Sequence, residues 1–425
     1  MTTRLLTALL LAVSLAAGQE ADPSFLASFD YVWTTVRDKH WDPNLGAVDW
    51  DAVKAELRPR MERAENIGAA RKVLTEMLER LHLSHFRIIP GTVYSELGAE
   101  APVGGDGTTG IDVRVLGEQA LVTSVEPNSP AARGFVSPGW RIRRIGNFAV
   151  DPLIQQVQQS NLRDLTLRRA ILLRLEGPPG DSVRVEFLDG HDQLQVRSLN
   201  RIETRGRLSS LGYLGPSHVW FDAHRIDDER ARVGYVAFNL FLDPANLMSE
   251  FGEAVQGCMK CDGFVIDLRG NPGGLGAMAM GMAGWFVDEK NARLGTLFLR
   301  ETALKFVINP RPQTFAGPLA VLIDGTSAST SEIFAGGLQD LKRARIFGTR
   351  SAAAALPSVI EKLPDGDAFQ FAIANYVSEG GKELEGQGVK PDVETPLTRE
   401  ALLAGKDPAL DAALEWIRTQ KGKHE

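Results

Sequence analysis

A chain of 425 residues, 44% hydrophobic and 24% charged, has the composition of an ordinary globular protein and the length for about two to four domains. Its net charge of -7, with no basic tract, argues against nucleic acid or an anionic lipid surface as a main partner. Residues 1–18 carry one Arg, a leucine- and alanine-rich run from Leu5 to Ala17 and then small residues, the pattern of a secretory signal peptide too short to span a bilayer comfortably. An uncleaved anchor is the alternative. No other long apolar run follows, so the mature chain is expected to be exported, to a periplasm or out of the cell, without stable membrane insertion.

From Pro23 to Leu83 apolar residues recur at helical spacing, with Phe25, Phe29, Val32 and Trp33 on one face, which predicts a helical N-terminal domain over residues 22–95. Near its end, around Ser84-His85, alternation takes over and a strand begins. A histidine at such a junction reads as a structural hydrogen bonder or, since the chain has only seven, as one of few candidates for a general base.

Residues 103–200 change character. A glycine-rich entry leads through Thr109-Gly110-Ile111 into alternating runs, Ser129-Pro130 offers an N-cap and N1 pair, and Gly134 is placed to stop the short helix they begin. The block resembles a PDZ domain, although Trp140 stands where such domains usually carry Asp after Pro-Gly. The resemblance implies peptide binding by β-augmentation at Thr109, Gly110 and Ile111. A β-rich scaffold that binds no peptide is the alternative.

Leu211 to Arg230 reads as a connector with strand-like pieces, leading into residues 211–400. Val233–Phe238, a helical segment around Leu247 to Val255 and Gly263–Arg269 then predict a parallel β-α-β unit. The second strand empties into Gly270-Asn271-Pro272-Gly273-Gly274 ahead of a helix over about Leu275 to Phe286. Glycines at such an exit permit positive φ and close approach of amides to a ligand. A dinucleotide fingerprint fits only loosely, because no acidic residue follows at the distance a ribose contact needs. Leu319–Asp324, a turn of small and hydroxyl residues and a return to helical spacing read as strand, turn and helix, with Ser329 at the helix N-terminus. Ser329-x-x-Glu332 fits a capping box; equally, the helix dipole and free amides there favour an attacking oxygen and an oxyanion. The last residues, 401–425, form a C-terminal helix and tail.

Arg269-x-Asn271-x-Gly-Gly, Ser327-Ala-Ser329-x-Ser-Glu332 and Glu385-Gly-x-Gly-Val389-x-Pro391-Asp392, in this order after the PDZ-like block, resemble the tail-specific, or C-terminal-processing, serine proteases and their tricorn-type relatives. The resemblance implies an α/β catalytic domain of the ClpP/crotonase-like class beside the helical and PDZ-like domains, with Ser329 as nucleophile. The tail-specific branch uses a lysine at a position that here matches Ala354. The tricorn-type branch uses a histidine from a Ser-His pair and a glutamate before Gly-Val-x-Pro-Asp, present here as Ser84-His85 and Glu385.

The activity implied is hydrolysis of polypeptide substrates, possible recognition of their C-termini included. His85 takes the Ser329 proton, Ser84 and Glu385 orient the site, and Thr330 N–H with that of Gly273 or Gly274 holds the oxyanion. A catalytically inactive peptide- or ligand-binding protein on the same scaffold is the alternative function. No cofactor is implied, and no metal, since His-Glu-x-x-His is absent. Cys258 and Cys261, spaced as CxxC, suit a local disulfide or, less simply, a redox site.

Overall fold

A computed structural model describes residues 22–91, 106–157, 162–211 and 214–421; the signal-peptide expectation lies outside them. No helix among the described residues is long and apolar enough to cross a membrane. The whole is a mixed α/β fold with helices and several sheets.

Three helices, Pro23–Lys39, Trp50–Met61 and Ile67–Glu79, open the chain, each capped by a side chain that accepts a first-turn amide: Asp22, Asp49 and Asn66. Their apolar faces meet at Phe29, Val32, Leu57, Leu74 and Met77, all buried. Trp33 and Trp50 each donate an indole N–H to the other's carbonyl, at 2.9 and 3.0 Å. This core is completed from far along the chain. The hairpin Ser358–Lys362 and Ala368–Ala372 inserts Phe369 and Phe371 into it, and strand Arg87–Ile89 pairs antiparallel with Ala368–Ala372.

The next block is an antiparallel sheet ordered Ile111–Leu116, Gln119–Val125, Arg141–Ile145, Ser182–Leu188 and Leu194–Asn200, with the short Phe148–Ala149 beside Arg141–Ile145. The Ser129 hydroxyl accepts from Ala132 N at 3.1 Å, starting the short helix Pro130–Arg133 that Gly134 ends. Ile111–Leu116 is an edge strand, and helix Arg163–Leu175 packs along it.

A second six-stranded sheet runs Phe221–Asp227, Arg232–Phe238, Gly263–Asp267, Leu319–Ile323, Arg345–Gly348, Val393–Glu394. Its first pair is antiparallel and the rest are parallel. Helix Pro244–Gly257 makes the crossover between the second and third strands. Phe238, Ile266, Val321 and Ile346 face helices Pro244–Gly257, Gly276–Ala283 and Thr330–Asp340. Val233, Val265, Leu322 and Phe347 face Ile417 and Trp416 of Pro408–Lys421. Burial on both faces explains why Leu319–Ile323 is apolar throughout.

The strand-like pieces of the connector from Leu211 to Arg230 are strands Leu214–Val219 and Phe221–Asp227, the second an exposed edge of this sheet. One expectation needs correction. The helix after the glycine loop is shorter than expected, Gly276–Ala283. Cys258 and Cys261 form a disulfide with Cα atoms 5.0 Å apart, at the end of Pro244–Gly257.

Candidate active site

Strand Leu319–Ile323 ends in Asp324, whose carboxylate accepts from Thr326 N at 2.9 Å and Thr326 Oγ1 at 2.6 Å. The Ser327 hydroxyl donates to Leu268 O at 2.8 Å, tying this turn to the end of the neighbouring strand. Asn271, wholly buried, completes the clamp. Its carbonyl accepts from Ala328 N and the Ser331 hydroxyl, its side-chain amide donates to Phe238 O, and its Oδ1 accepts from Gly273 N at 2.9 Å. The glycine loop and the serine turn are therefore one hydrogen-bonded unit.

Within it Ser329 is half-buried and precedes helix Thr330–Asp340 with φ 53 and ψ -117. A non-glycine residue there costs on the order of 1–3 kcal/mol, and such strain clusters at functional sites. His85 (φ 61) and Ala353 (φ 57) share the left-handed region. Gly273 lies against the serine so closely that a Cβ on it would come within 2.8 Å of Ser329 Cβ and of Thr330 N. Its N–H is taken by Asn271, whereas the N–H groups of Gly274 and Thr330 have no acceptor among the described residues. The Thr330 hydroxyl donates to Gly274 O at 2.8 Å, which holds those two residues side by side.

The histidine arm approaches from the N-terminal helices. The Ser84 hydroxyl lies 2.7 Å from His85 Nδ1 and donates to Glu385 Oε2 at 2.8 Å, while Ser84 N donates to Glu385 Oε1 at 2.7 Å. With its one proton on Glu385, the Ser84 oxygen accepts from His85 Nδ1–H, which leaves Nε2 bare. Burial raises the Glu385 carboxyl above its usual range, against the pull of the Ser84 and Ala355 donors. Burial, with the charge of Arg87 adding, lowers the His85 imidazole to about 4, so the ring is neutral near pH 7. Among the described residues no hydrogen bond joins His85 to Ser329. They are joined indirectly: Ala355 N donates to Glu385 Oε2 at 2.9 Å, and the adjacent Ala354 O accepts from Ser329 N at 2.8 Å.

Ala354 is buried, and with Ala328 and Ala352 it forms an apolar patch against Leu162 and Leu165, at the start of helix Arg163–Leu175. Lys382 pairs with Asp340 at 2.7 Å, and Lys362 is exposed at a strand end. A second contact between the blocks is ionic. Arg114, on the edge strand, bridges Asp112 and Asp324 at 2.7 Å each, and Arg168 donates to Gly270 O at 3.2 Å. These guanidinium groups hold the Asp112 and Asp324 carboxyls well below the usual range despite burial. Arg269 pairs with Asp267 and with Asp407 ahead of the last helix, which braces the glycine loop from behind.

Thr109 is buried and its carbonyl accepts from Ala131 N. Gly110, at φ 78, gives its N–H to Thr108 Oγ1, and Ile111 sits in the core of the β-rich block. The sequence offered no signal for Asn271's four contacts or for Arg114 and Asp324 as partners, because their spacing is set by the fold alone.

A serine peptidase is the class that this assembly and its relatives define. Residues 232–395 match the model of peptidase family S41, and residues 22–79 match that of the tricorn protease C1 domain. A carboxyl-terminal-processing protease of Synechocystis sp. is 27% identical over 397 residues, covering 91% of this chain and 85% of that protein. A carboxy-terminal-processing protease of Bartonella bacilliformis is 36% identical over 304 residues, covering 68% and 62%. The solved photosystem II D1 C-terminal processing protease shares the fold at a TM-score of 0.59 and 21% identity, covering 91% of this chain and 99% of that one. Residues 232–395 thus carry a peptidase family S41 domain. These relatives give no support to the inactive alternative.

Proposed function

We propose that this chain is an exported, C-terminal-processing serine endopeptidase that uses a histidine rather than a lysine as base. The observation that carries this reading is the Ser84 hydroxyl set between His85 Nδ1 and the Glu385 carboxylate. It selects the tautomer whose Nε2 can take a proton, while the lysine position is the buried Ala354. Ser329 attacks the scissile carbonyl as His85 Nε2 accepts its proton, and the imidazolium returns that proton to the leaving amine. Closing the gap between His85 and Ser329 belongs to the substrate-bound state, since such contacts tighten there. Gly274 and Thr330 N–H receive the oxyanion; Gly273 supplies the close approach and not the donor.

The catalytic part, residues 211–400, is read as ClpP/crotonase-like, residues 22–95 as the helical domain, and residues 103–200 as PDZ-like. The edge strand Ile111–Leu116 beside helix Arg163–Leu175 supports β-augmentation by a substrate's C-terminal tail near Thr109, Gly110 and Ile111. The test is cleavage of casein by the wild type beside Ser329→Ala and His85→Ala. Both variants are expected to stay folded and fall on the order of 10⁶-fold in kcat. An active His85→Ala would refute the histidine base.

A further inference from the structure

Glu332 is a fully buried carboxylate that the steps above do not use. A helix cap needs only its contact to Ser329 N, which it makes at 3.0 Å. It makes three more, all outside the helix. Ala354 N donates to Oε2 at 2.9 Å, and Ala353 N and the Ser351 hydroxyl donate to Oε1 at 2.9 and 2.6 Å. The Ser351 oxygen in turn accepts from Val389 N at 2.6 Å. Both carboxylate oxygens thus face only donors, and the strained turns at Ser329 and Ala353 are held by the same group.

Resting on the reading of Ser329 as nucleophile, we propose that Glu332 is a positioning residue for the peptidase reaction. Its ionised carboxylate pins the serine turn to the alanine tract, and its protonation releases that turn. A proton on Oε2 must point at an N–H, and one on Oε1 must point at the Ala353 N–H or at Ser351 Oγ, whose own proton then turns away, so at least one of the four contacts is lost or reversed.

Among the described residues no salt bridge reaches this carboxylate, whose partners are three backbone amides and one hydroxyl. Of the elements packed on helix Thr330–Asp340, Arg293–Phe298 brings Arg293, which pairs with Glu379, and Arg345–Gly348 brings Arg345, which lies over the Trp416 ring. Gly276–Ala283 and Asn375–Ser378 bring none. The nearest titratable groups along the hydrogen bonds are Glu385 and His85, reached through Ala354 and Ala355. Burial accordingly raises the Glu332 carboxyl to about 7, against the pull of its four donors.

The sign of the pH effect follows. Activity falls as pH drops through about 7, above the region near 4 where His85 itself gains a proton. Stability linked to Glu332 moves the other way, because the folded state takes up its proton before the unfolded one does.

The test is casein hydrolysis by full-length wild type, Glu332→Gln, Ser351→Ala and Ser329→Ala across pH 4–9, with circular dichroism at each pH. The wild-type acid limb is expected near 7, with the fold intact. Glu332→Gln is expected to lose about 10²-fold in kcat with KM little changed, and to move its limb toward that of His85. Ser351→Ala, which removes one donor to the ionised form, is expected to move the limb to higher pH. A wild-type limb near 4, or a Glu332→Gln variant with wild-type kcat and limb, would overturn the proposal. If Glu332→Gln does not fold, an unmoved limb in Ser351→Ala overturns it. An active Ser329→Ala would instead sink the reading of the site on which it rests.

Discussion

A half-buried carboxylate, Glu385, and a fully buried one, Glu332, lie on either side of the alanine tract, and they do different work with similar means. Glu385 accepts from Ala355 N and Ser84 N, and its remaining contact is a side-chain hydroxyl that leads to His85. Glu332 accepts from Ala353 N, Ala354 N and Ser329 N, and its hydroxyl partner, Ser351, leads only to the backbone at Val389. Burial raises both carboxyls. Glu385 therefore governs a proton, through a tautomer, while Glu332 governs a shape, through amides. The tract between them carries alanine methyls, and its successive amides at Ala353, Ala354 and Ala355 serve the two carboxylates.

The largest effect separating the two sites is expected at Glu385. In Glu385→Gln an amide nitrogen facing Ser84 would reverse that hydroxyl, which would then donate to His85 Nδ1 and move the ring proton to Nε2. A mis-set tautomer of this kind costs on the order of 10⁴-fold in kcat. Steady-state casein hydrolysis, compared with the about 10²-fold expected for Glu332→Gln, checks the ranking. Equal losses with parallel pH profiles would erase the distinction.

A smaller effect is expected from restoring the missing cation. Ala354→Lys places a long charged side chain against Ala328, Ala352, Leu162 and Leu165. Overpacking alone costs about 1–3 kcal/mol, and burying the charge adds to it. Thermal unfolding should show the loss, and the substitution should not rescue His85→Ala. Rescue would mean that the lysine route remains open in this scaffold.

The smallest effect expected is on stability in mild acid. His85 is held neutral in the fold, with its pKa lowered to about 4 from an ordinary 6.5, so its contribution is complete above about 6.5 and is lost as pH falls toward 4. His85→Asn should flatten that part of the stability curve, as read by urea unfolding at pH 7 and pH 5.

What was legible in the sequence was local. Ser129-Pro130 and Gly134 bound a short helix because capping chemistry acts over a few residues, and the β-α-β unit showed in its apolar runs. Glu332 was legible only as a cap, since its other partners lie about twenty residues on and meet it through the sheet. The choice between Gly273 and Gly274 was open in the sequence, because Asn271 takes the Gly273 amide by a side-chain contact that spacing does not announce. Phe221–Asp227 was legible as a strand-like piece, but its pairing at the sheet edge was not, because its exposed face carries no apolar alternation. The hairpin Ser358–Ala372 was hidden because its core partners are helices that open the chain.

The central claim, that His85 activates Ser329, is tested most directly by the rate at which a serine-reactive fluorophosphonate labels the protein, read by intact mass and peptide mapping. The adduct is expected on Ser329 in the wild type, far more slowly in Ser84→Ala, and not measurably in a folded His85→Ala. Labelling of His85→Ala at the wild-type rate, or an adduct on another serine, would contradict the account.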